Sequence, residues 1–478
     1  LSVKRCLIHT SSSSILFAQP TAASHAHLLK KGEITPGISS DVYQERRKKL
    51  IEKIIRLSHS DSNTAHLVII PSASIVYMTE NIPYPFRQNS NFLYLCGFKE
   101  PNSILAIHSV KGEISEHKSI LFIPKQTAQS EKWEGYKMDL DTVTDFLNID
   151  KALHVFEFEK FLQDFTKLHK QFTVWYDYLN VTPLPVHQTM RDFMSAYTGS
   201  ISMISPQSLI HQMRLIKCDR EIELMRKSCG IASKAMREVM LFSHSSVLES
   251  HLHAKMDFEC RIGGADYLAF PPVVAGGDRA NTIHYIDNNH IILDENLVLM
   301  DAGCEYHGYA SDMARTWPVN GKFTEPQREL YQILLTVQEE LIQLCKSRLS
   351  LDHLFKIMCK KLGKGLQKLN IIPSKFTEVE ASEAAFAFCP HHVSHYLGMD
   401  VHDTNTVSRG IALQPGMVIT VEPGVYISKN NMTVPEKYRG LCIRIEDDIL
   451  ITEDGCEILT HDCPKHADEI EKLFQNSC

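Results

Sequence analysis

The chain has 478 residues, more than one ordinary domain accommodates, so two or three domains are expected. It is 44% hydrophobic and 22% charged with a formal net charge of −7, a globular composition that offers nucleic acid no basic surface. No apolar run approaches the roughly 18 residues a membrane-spanning helix needs, and the 13 scattered cysteines, with no CxxC pair, point to reduced thiols rather than a disulfide framework.

Residues 1–31 contain no acidic side chain; the first is Glu33. They carry Lys4, Arg5, Lys30 and Lys31 and a serine cluster at 11–14. Basic, Ser-rich and acid-poor is the composition of a mitochondrial transit peptide. With the linker that holds Gly32, Pro36 and Gly37, residues 1–40 are expected to lie outside the fold. The expected location is the mitochondrial matrix, with a cytoplasmic form if the leader is omitted. An N-terminal domain is expected over 41–215 and a second domain over 216–478. In the first, Leu50, Ile51, Ile54 and Ile55 recur among charges at helical spacing over 42–57. Short apolar strands are predicted at 67–70, 104–107, 119–123 and 172–176, with helices at 140–147 and 160–168 between them, which implies an α/β layer. No glycine-rich phosphate loop occurs. The run Tyr84-Pro85-Phe86-Arg87-Gln88-Asn89-Ser90 stands before an aromatic segment expected to be a strand, closed by Gly97-Phe98.

The second half opens on a long predicted helix, 219–241. The apolar run 297–300 then leads into Asp301, a Gly-containing turn follows, and 309–316 runs back, which reads as a β-hairpin. A turn centred on Tyr306 and His307 sets Asp301 opposite Asp312. Like charges directly opposite are destabilising in a sheet, and a divalent cation would offset the cost. A second long helix is expected at 325–349 with Pro326 in its first turn, so helix and strand pair repeat as two α–β–β halves.

Four further places carry candidate chemistry. His284 follows the loop with Gly276 and Gly277. His391, His392, His395 and His402 lie within one segment. A buried strand delivers Glu422 to Pro423-Gly424, and Arg444 and Glu446 are expected to share one strand face. Singly, each has a plainer reading: a core histidine, a turn residue, a solvated edge. Together, Asp301, Asp312, Glu422 and Glu446 all sit at the ends of, or within, apolar strands, where an unpaired carboxylate is costly. Four carboxylates and a hydroxide are nearly neutralised by two divalent ions; without metal, their pKa values would be coupled and some raised. Oxygen ligands with one imidazole suit a hard or borderline ion such as Mn²⁺ rather than a zinc–thiolate site, and paired ions roughly 3.5–4 Å apart are the hydrolase pattern.

These motifs, with the 84–98 segment, resemble the Xaa-Pro aminopeptidases (aminopeptidase P) among the pita-bread metallopeptidases, over about residues 45–465. The resemblance implies an α/β (α+β) chain, an N-terminal α/β domain followed by a pita-bread catalytic domain. It implies that Asp301 binds one ion, that His395 and Glu422 bind the other, and that Asp312 and Glu446 bridge both, the metal being Mn²⁺. His284, His391 and His402 would contact substrate or stabilise the tetrahedral intermediate. Glu422 would act as general base towards a water whose pKa the ions lower, and Arg444 would orient Glu446. The activity implied is removal of the N-terminal residue from peptides with a free N-terminus, preferentially before proline, by a homodimer that trims imported mitochondrial proteins. His392 departs from the glycine usual in relatives. Rival readings are a prolidase confined to dipeptides, a methionine aminopeptidase, which lacks an N-terminal domain of this size, and a non-catalytic scaffold, against which all five ligand positions argue.

Overall fold

The computed structural model describes residues 18–58, 64–109, 116–169, 171–179, 183–197, 201–346 and 349–475, so residues 1–17 of the expected leader lie outside the described residues. The chain divides into two compact units, Leu1–Leu209 and Ile210–Cys478. Among the described residues no helix is long and apolar enough to cross a membrane, and their cysteines are free thiols, most of them buried.

In the first unit the helix Ser40–Ser58 forms where the periodicity predicts it. Leu50, Ile51 and Ile54 are fully buried, and Asp41 in the first turn and Arg56 in the last complement the helix dipole. The predicted strands assemble into one mixed six-stranded sheet in the order Ile201–Ile204, Phe172–Trp175, Ala65–Pro71, Ile104–Ser109, His117–Ile123, Lys151–His154. Leu67, Ile69, Ala106, Phe122 and Val174 from the sheet pack with Phe158, Leu162 and Phe165 of the helix Phe158–Leu168.

Two expectations for this unit are corrected. Residues 1–40 do not all lie outside the fold. Leu29, Ile34 and Ile38 are buried, and Glu33–Thr35 pairs antiparallel with Ile38–Ser39. Gln19 donates to the Gly97 carbonyl at 2.8 Å and accepts from the Lys99 N–H at 2.7 Å. An acid-poor composition reports charge, not burial, and three apolar residues suffice to dock the segment. The aromatic segment after Asn89 is a helix, Ser90–Cys96, rather than a strand. Asn89 caps it by accepting from the Phe92 N–H at 3.0 Å, and Gly97 ends it at φ +70. A Cβ on Gly97 would lie 2.7 Å from Ile34 and Tyr43, so glycine serves both the left-handed turn and the packing of the incoming chain. Gln88 of the same motif is structural: it accepts from Ala73 and Asn89 N–H groups and donates to the carbonyls of Phe98 and Glu100.

The second unit is built on two antiparallel sheets, Val273–Gly276, Leu297–Ala302 and Met313–Pro318 in one and Val418–Val421, Asp447–Ile451 and Cys456–Ile458 in the other, with the pair Gly424–Tyr426 and Cys442–Arg444 beside them. Helices Asp219–Phe242, Glu249–Ile262, Glu325–Leu344 and Leu351–Lys368 share one continuous apolar core with these strands. The helix predicted to reach residue 349 stops at Leu344; a new one starts after Ser350, whose hydroxyl accepts from the His353 N–H.

The hairpin register differs from the predicted one. The turn is His307-Gly308, with φ +51 and +88, the two left-handed residues that a tight hairpin turn requires. Tyr306 therefore pairs with Tyr309, and Asp301 pairs with Ala314 rather than Asp312. Asp312 sits diagonally from Asp301 on the same face, still within side-chain reach. Between them the ladder is interrupted at Gly303, where a Cβ would collide with the Ser311 carbonyl, and the Cys304 N–H turns to the Ser311 hydroxyl at 3.0 Å.

Candidate functional site

Strand ends of the second unit deliver the acidic side chains to one place. Asp301 closes the apolar strand Leu297–Ala302, and Asp312 precedes Met313–Pro318, its N–H donating to Asp448 Oδ2 at 3.0 Å. Glu422 follows Val418–Val421, its N–H bonded to the Val393 carbonyl at 2.9 Å. Glu446 lies between Cys442–Arg444 and Asp447–Ile451 and donates its N–H to the Ala314 carbonyl at 3.0 Å. His395 is held against the Val418–Val421 strand, where its N–H meets the Thr420 hydroxyl at 3.2 Å and the Thr420 N–H meets its carbonyl at 3.0 Å. One side-chain donor atom each from Asp312, His395 and Glu446 falls within 4.8 Å of the others. His395 Nε2 is 3.3 Å from Asp312 Oδ2 and 3.7 Å from Glu422 Oε1.

The protein leaves these carboxylates unsatisfied. Asp301 Oδ1, Asp312 Oδ1 and both oxygens of Glu446 are buried without a hydrogen-bond donor. Buried polar atoms are otherwise almost always paired, and orphaned carboxylate oxygens cost several kcal/mol in order of magnitude. Four such oxygens beside one imidazole fit a divalent cation. The electrostatics agree. Burial, opposed by Arg444 and reinforced by Asp312, pushes the Asp301 carboxyl up to about 7. Burial likewise lifts Glu422 to about 7 against the pull of His395, and Glu446 well above the carboxylate range. Burial alone would lower His395; its contact with Asp312 and the charge of Glu422 raise it to about 9 instead. With only protein charges counted, the cluster recruits protons in place of a cation.

Around this cluster stand three more histidines. His391 Nδ1 faces the His392 carbonyl at 2.9 Å, which can only accept, so Nδ1 carries the proton and Nε2 accepts from Tyr426 O–H at 2.9 Å. The Tyr426 oxygen in turn accepts from Arg444 Nη1 at 2.6 Å. Burial and the Arg444 charge push His391 down to about 4, so its ring is neutral. His391 Nδ1 also lies 3.6 Å from Glu422 Oε2. His402 is exposed, its ring edge-on to His395 with centroids 4.5 Å apart. His284 is exposed on the turn after Gly277–Asn281, close enough for its charge to act on both His391 and His402. His392 turns away, stacked on Phe355 at 5.0 Å.

Arg444 does not pair with Glu446 as its position two residues earlier suggested. Its Nη2 donates to Asp301 Oδ2 at 2.7 Å and its Nη1 to Tyr426. The strand breaks after Arg444: the Ile445 N–H goes to the Pro423 carbonyl and the Glu446 N–H to Ala314, so the two side chains do not alternate along one ladder. Tyr426, Arg315, Asp447 and Asp448 were not foreseen. Arg315 donates to the Glu446 carbonyl at 2.5 Å and to Asp447 Oδ1 at 2.7 Å, while Asp448 accepts from Asp312 and Cys229. The available signal was the run Glu446-Asp447-Asp448 inside an otherwise apolar segment, whose three acids read as a solvated edge but are all buried.

Comparison with known proteins gives a consistent result. Residues 223–453 match metallopeptidase family M24, and residues 43–175 match the aminopeptidase P N-terminal domain. The chain is 44% identical over 459 residues to Xaa-Pro aminopeptidase 3 of Rattus norvegicus, covering 95% of this chain and 90% of that protein. It is 40% identical over 462 residues to the mitochondrial intermediate cleaving peptidase 55 of Arabidopsis thaliana, covering 96% and 88%. Among solved structures it resembles zinc-substituted E. coli aminopeptidase P in complex with product, with a TM-score of 0.83, 34% identity and coverage of 92% and 99%.

Proposed function

The chain belongs to metallopeptidase family M24, and from this we infer that it is a metal-dependent aminopeptidase whose catalytic unit has the pita-bread fold. We propose that it removes the N-terminal residue from peptides, most readily when proline follows, with two Mn²⁺ ions per chain. Asp301, Asp312, His395, Glu422 and Glu446 would hold the ions. The observation that supports this reading is the set of four buried, donor-less carboxylate oxygens of Asp301, Asp312 and Glu446, the last two beside His395.

When bound, the ions supply Lewis acidity, which makes a water nucleophilic near neutral pH and polarises the scissile carbonyl. The remaining work falls to side chains. Glu422 accepts the proton of the attacking water at a carboxylate oxygen and delivers it to the leaving amine. Tyr426, itself held by Arg444, donates to His391 Nε2, so the neutral ring keeps its proton on Nδ1, which donates to the His392 carbonyl and lies 3.6 Å from Glu422 Oε2. His284 and His402, both exposed, meet the substrate and stabilise charge developing on it. A free substrate α-amine is favoured by the residual negative charge of the carboxylate set.

The test is a peptide panel: tripeptides with proline or alanine second, an Xaa-Pro dipeptide, and an N-terminally blocked peptide, each with Mn²⁺ and with chelator. Release of one residue from the proline tripeptide, abolished by chelation, is expected. Cleavage of the dipeptide alone establishes a prolidase instead, and internal cleavage or indifference to chelator overturns the reading. We further propose a mitochondrial location, supported by the acid-poor segment 1–31 and the name of the Arabidopsis thaliana relative, with imported proteins as substrates. Subcellular fractionation that finds the protein outside mitochondria refutes it. The homodimer expected from the resemblance is read by light scattering.

A further inference from the structure

His402 sits on the turn at residues 400–403, which brings its ring against His395. That turn is strained and must be held. Thr404, just beyond it, has φ +48, a left-handed value that a β-branched residue rarely adopts, and such a conformation persists only where its surroundings over-determine it. The surroundings here are ionic, and buried except at Asp400, which is half-buried. Arg214 Nη2 donates to Asp400 Oδ2 at 2.7 Å and also to Asp403 Oδ1, so one guanidinium nitrogen ties the two ends of the turn. Lys217 Nζ reaches Asp403 Oδ2 at 3.3 Å, and the Lys217 N–H is fixed to the Gly416 carbonyl at 2.9 Å. The Asp403 N–H bonds the Tyr396 carbonyl at 2.9 Å, next to His395. A Cβ on Gly398 would collide with the Asp403 carboxylate, so glycine admits the ion pair.

The side chains of Arg214, Lys217 and Asp403 are 2%, 2% and 0% exposed. Buried ion pairs add little stability over apolar residues of the same volume, because desolvation offsets the Coulombic gain. What three buried charges supply here is one defined geometry for the turn.

We propose that Arg214, Lys217 and Asp403 are positioning residues for His402, clamping the strained turn so that the imidazole is held beside His395 in the orientation in which it meets substrate. This rests on the peptidase reading of the site. The clamp acts through His402 and touches no reacting atom.

The test is a double-mutant cycle on the full chain with Asp403→Asn and His402→Ala, using the proline tripeptide. Asp403→Asn should lower kcat about 10- to 100-fold, with metal content unchanged, as expected of a modest misplacement of a substrate-contacting group. In the His402→Ala background the same substitution should have almost no further effect. Arg214→Lys, which keeps the charge but loses the planar guanidinium whose Nη2 donates to both carboxylates, should repeat the result and serves if Asp403→Asn fails to fold. Hydrogen exchange should show faster opening at 398–407 in either variant, with the rest of the Ile210–Cys478 unit unchanged. Additive losses in the cycle, or unaltered exchange at 398–407, overturn the proposal. An inactive wild-type chain refutes the peptidase reading instead, and the exchange measurement still decides whether the clamp holds the turn.

Discussion

Removing metal should make the stability of the catalytic unit fall as pH rises from 6.5 to 9; below 6.5 His391, pushed down to about 4, opposes the carboxyls because its ring takes up a proton more readily in the unfolded chain. Asp301 and Glu422 carry folded-state pKa values of about 7, raised from 3.8 and 4.5 chiefly by burial. For a carboxyl raised in this way the folded chain binds more protons than the unfolded chain, so stability is greatest in acid and declines until pH passes the folded value. At 1.36 kcal/mol per pH unit, two units above pH 5 amount to about 3 kcal/mol. The two groups share one repulsion, so their losses do not add. His395 continues the decline: its pKa rises from 6.5 to about 9, so its contribution is complete below 6.5 and is lost as pH passes 9. Asp447, held below the carboxylate range by Arg315 and Lys465 in spite of burial, changes stability only in stronger acid. Divalent ions should flatten the profile because they replace the recruited protons. Urea unfolding at pH 5, 7 and 9, with EDTA or with Mn²⁺, can be followed through the buried Trp317 in a chain with Trp133→Phe and Trp175→Phe. A chelated protein whose stability is constant or rises between pH 7 and 9 would refute the reasoning.

Asp312→Asn should drop metal content well below two ions per chain and nearly abolish activity, yet still fold, because it relieves repulsion among crowded carboxylates; retention of both ions by elemental analysis defeats the bridging assignment. His391→Ala should keep both ions while slowing turnover by roughly 10²–10⁴, and loss of an ion would place that histidine among the ligands instead. Gly97→Ala should destabilise the N-terminal unit by about 1–3 kcal/mol or more through its left-handed φ and the clash with Ile34 and Tyr43. Unfolding followed at Trp175 measures it, and an unchanged midpoint would mean that the segment around Ile34 yields without cost.

Much of the architecture was legible because it is local. Apolar periodicity placed the helices Ser40–Ser58 and Asp219–Phe242 and the strands around Leu67, Ile104 and Phe172 to within a few residues. The candidate ligands were legible for a related reason: a carboxylate such as Asp301 or Glu422 at the end of a buried apolar strand conflicts with its neighbours unless something neutralises it. What failed was also local in form but decided elsewhere. Phe92 and Tyr94 suggested a strand, and capping by Asn89 and Gly97 made it a helix. The leader composition said nothing of Ile34 and Ile38, whose burial depends on a partner surface. Tyr306-His307 was a reasonable turn centre, and the left-handed pair His307-Gly308 moved the turn by one residue and the cross-strand pairing by two.

The sequence by itself determined the element pattern, the two-part organisation and the inventory of acids and histidines, because spacing and composition are properties of neighbours along the chain. Only the tertiary structure decided who meets whom. Arg444 binds Asp301 across 143 residues, Asp312 binds Asp448 across 136, and Arg214 reaches Asp403 across 189. No periodicity encodes such pairings; they exist because packing of the whole core brings strand ends together, and burial there raises the pKa values of Asp301, Glu422 and Glu446, a cost that a cation would offset.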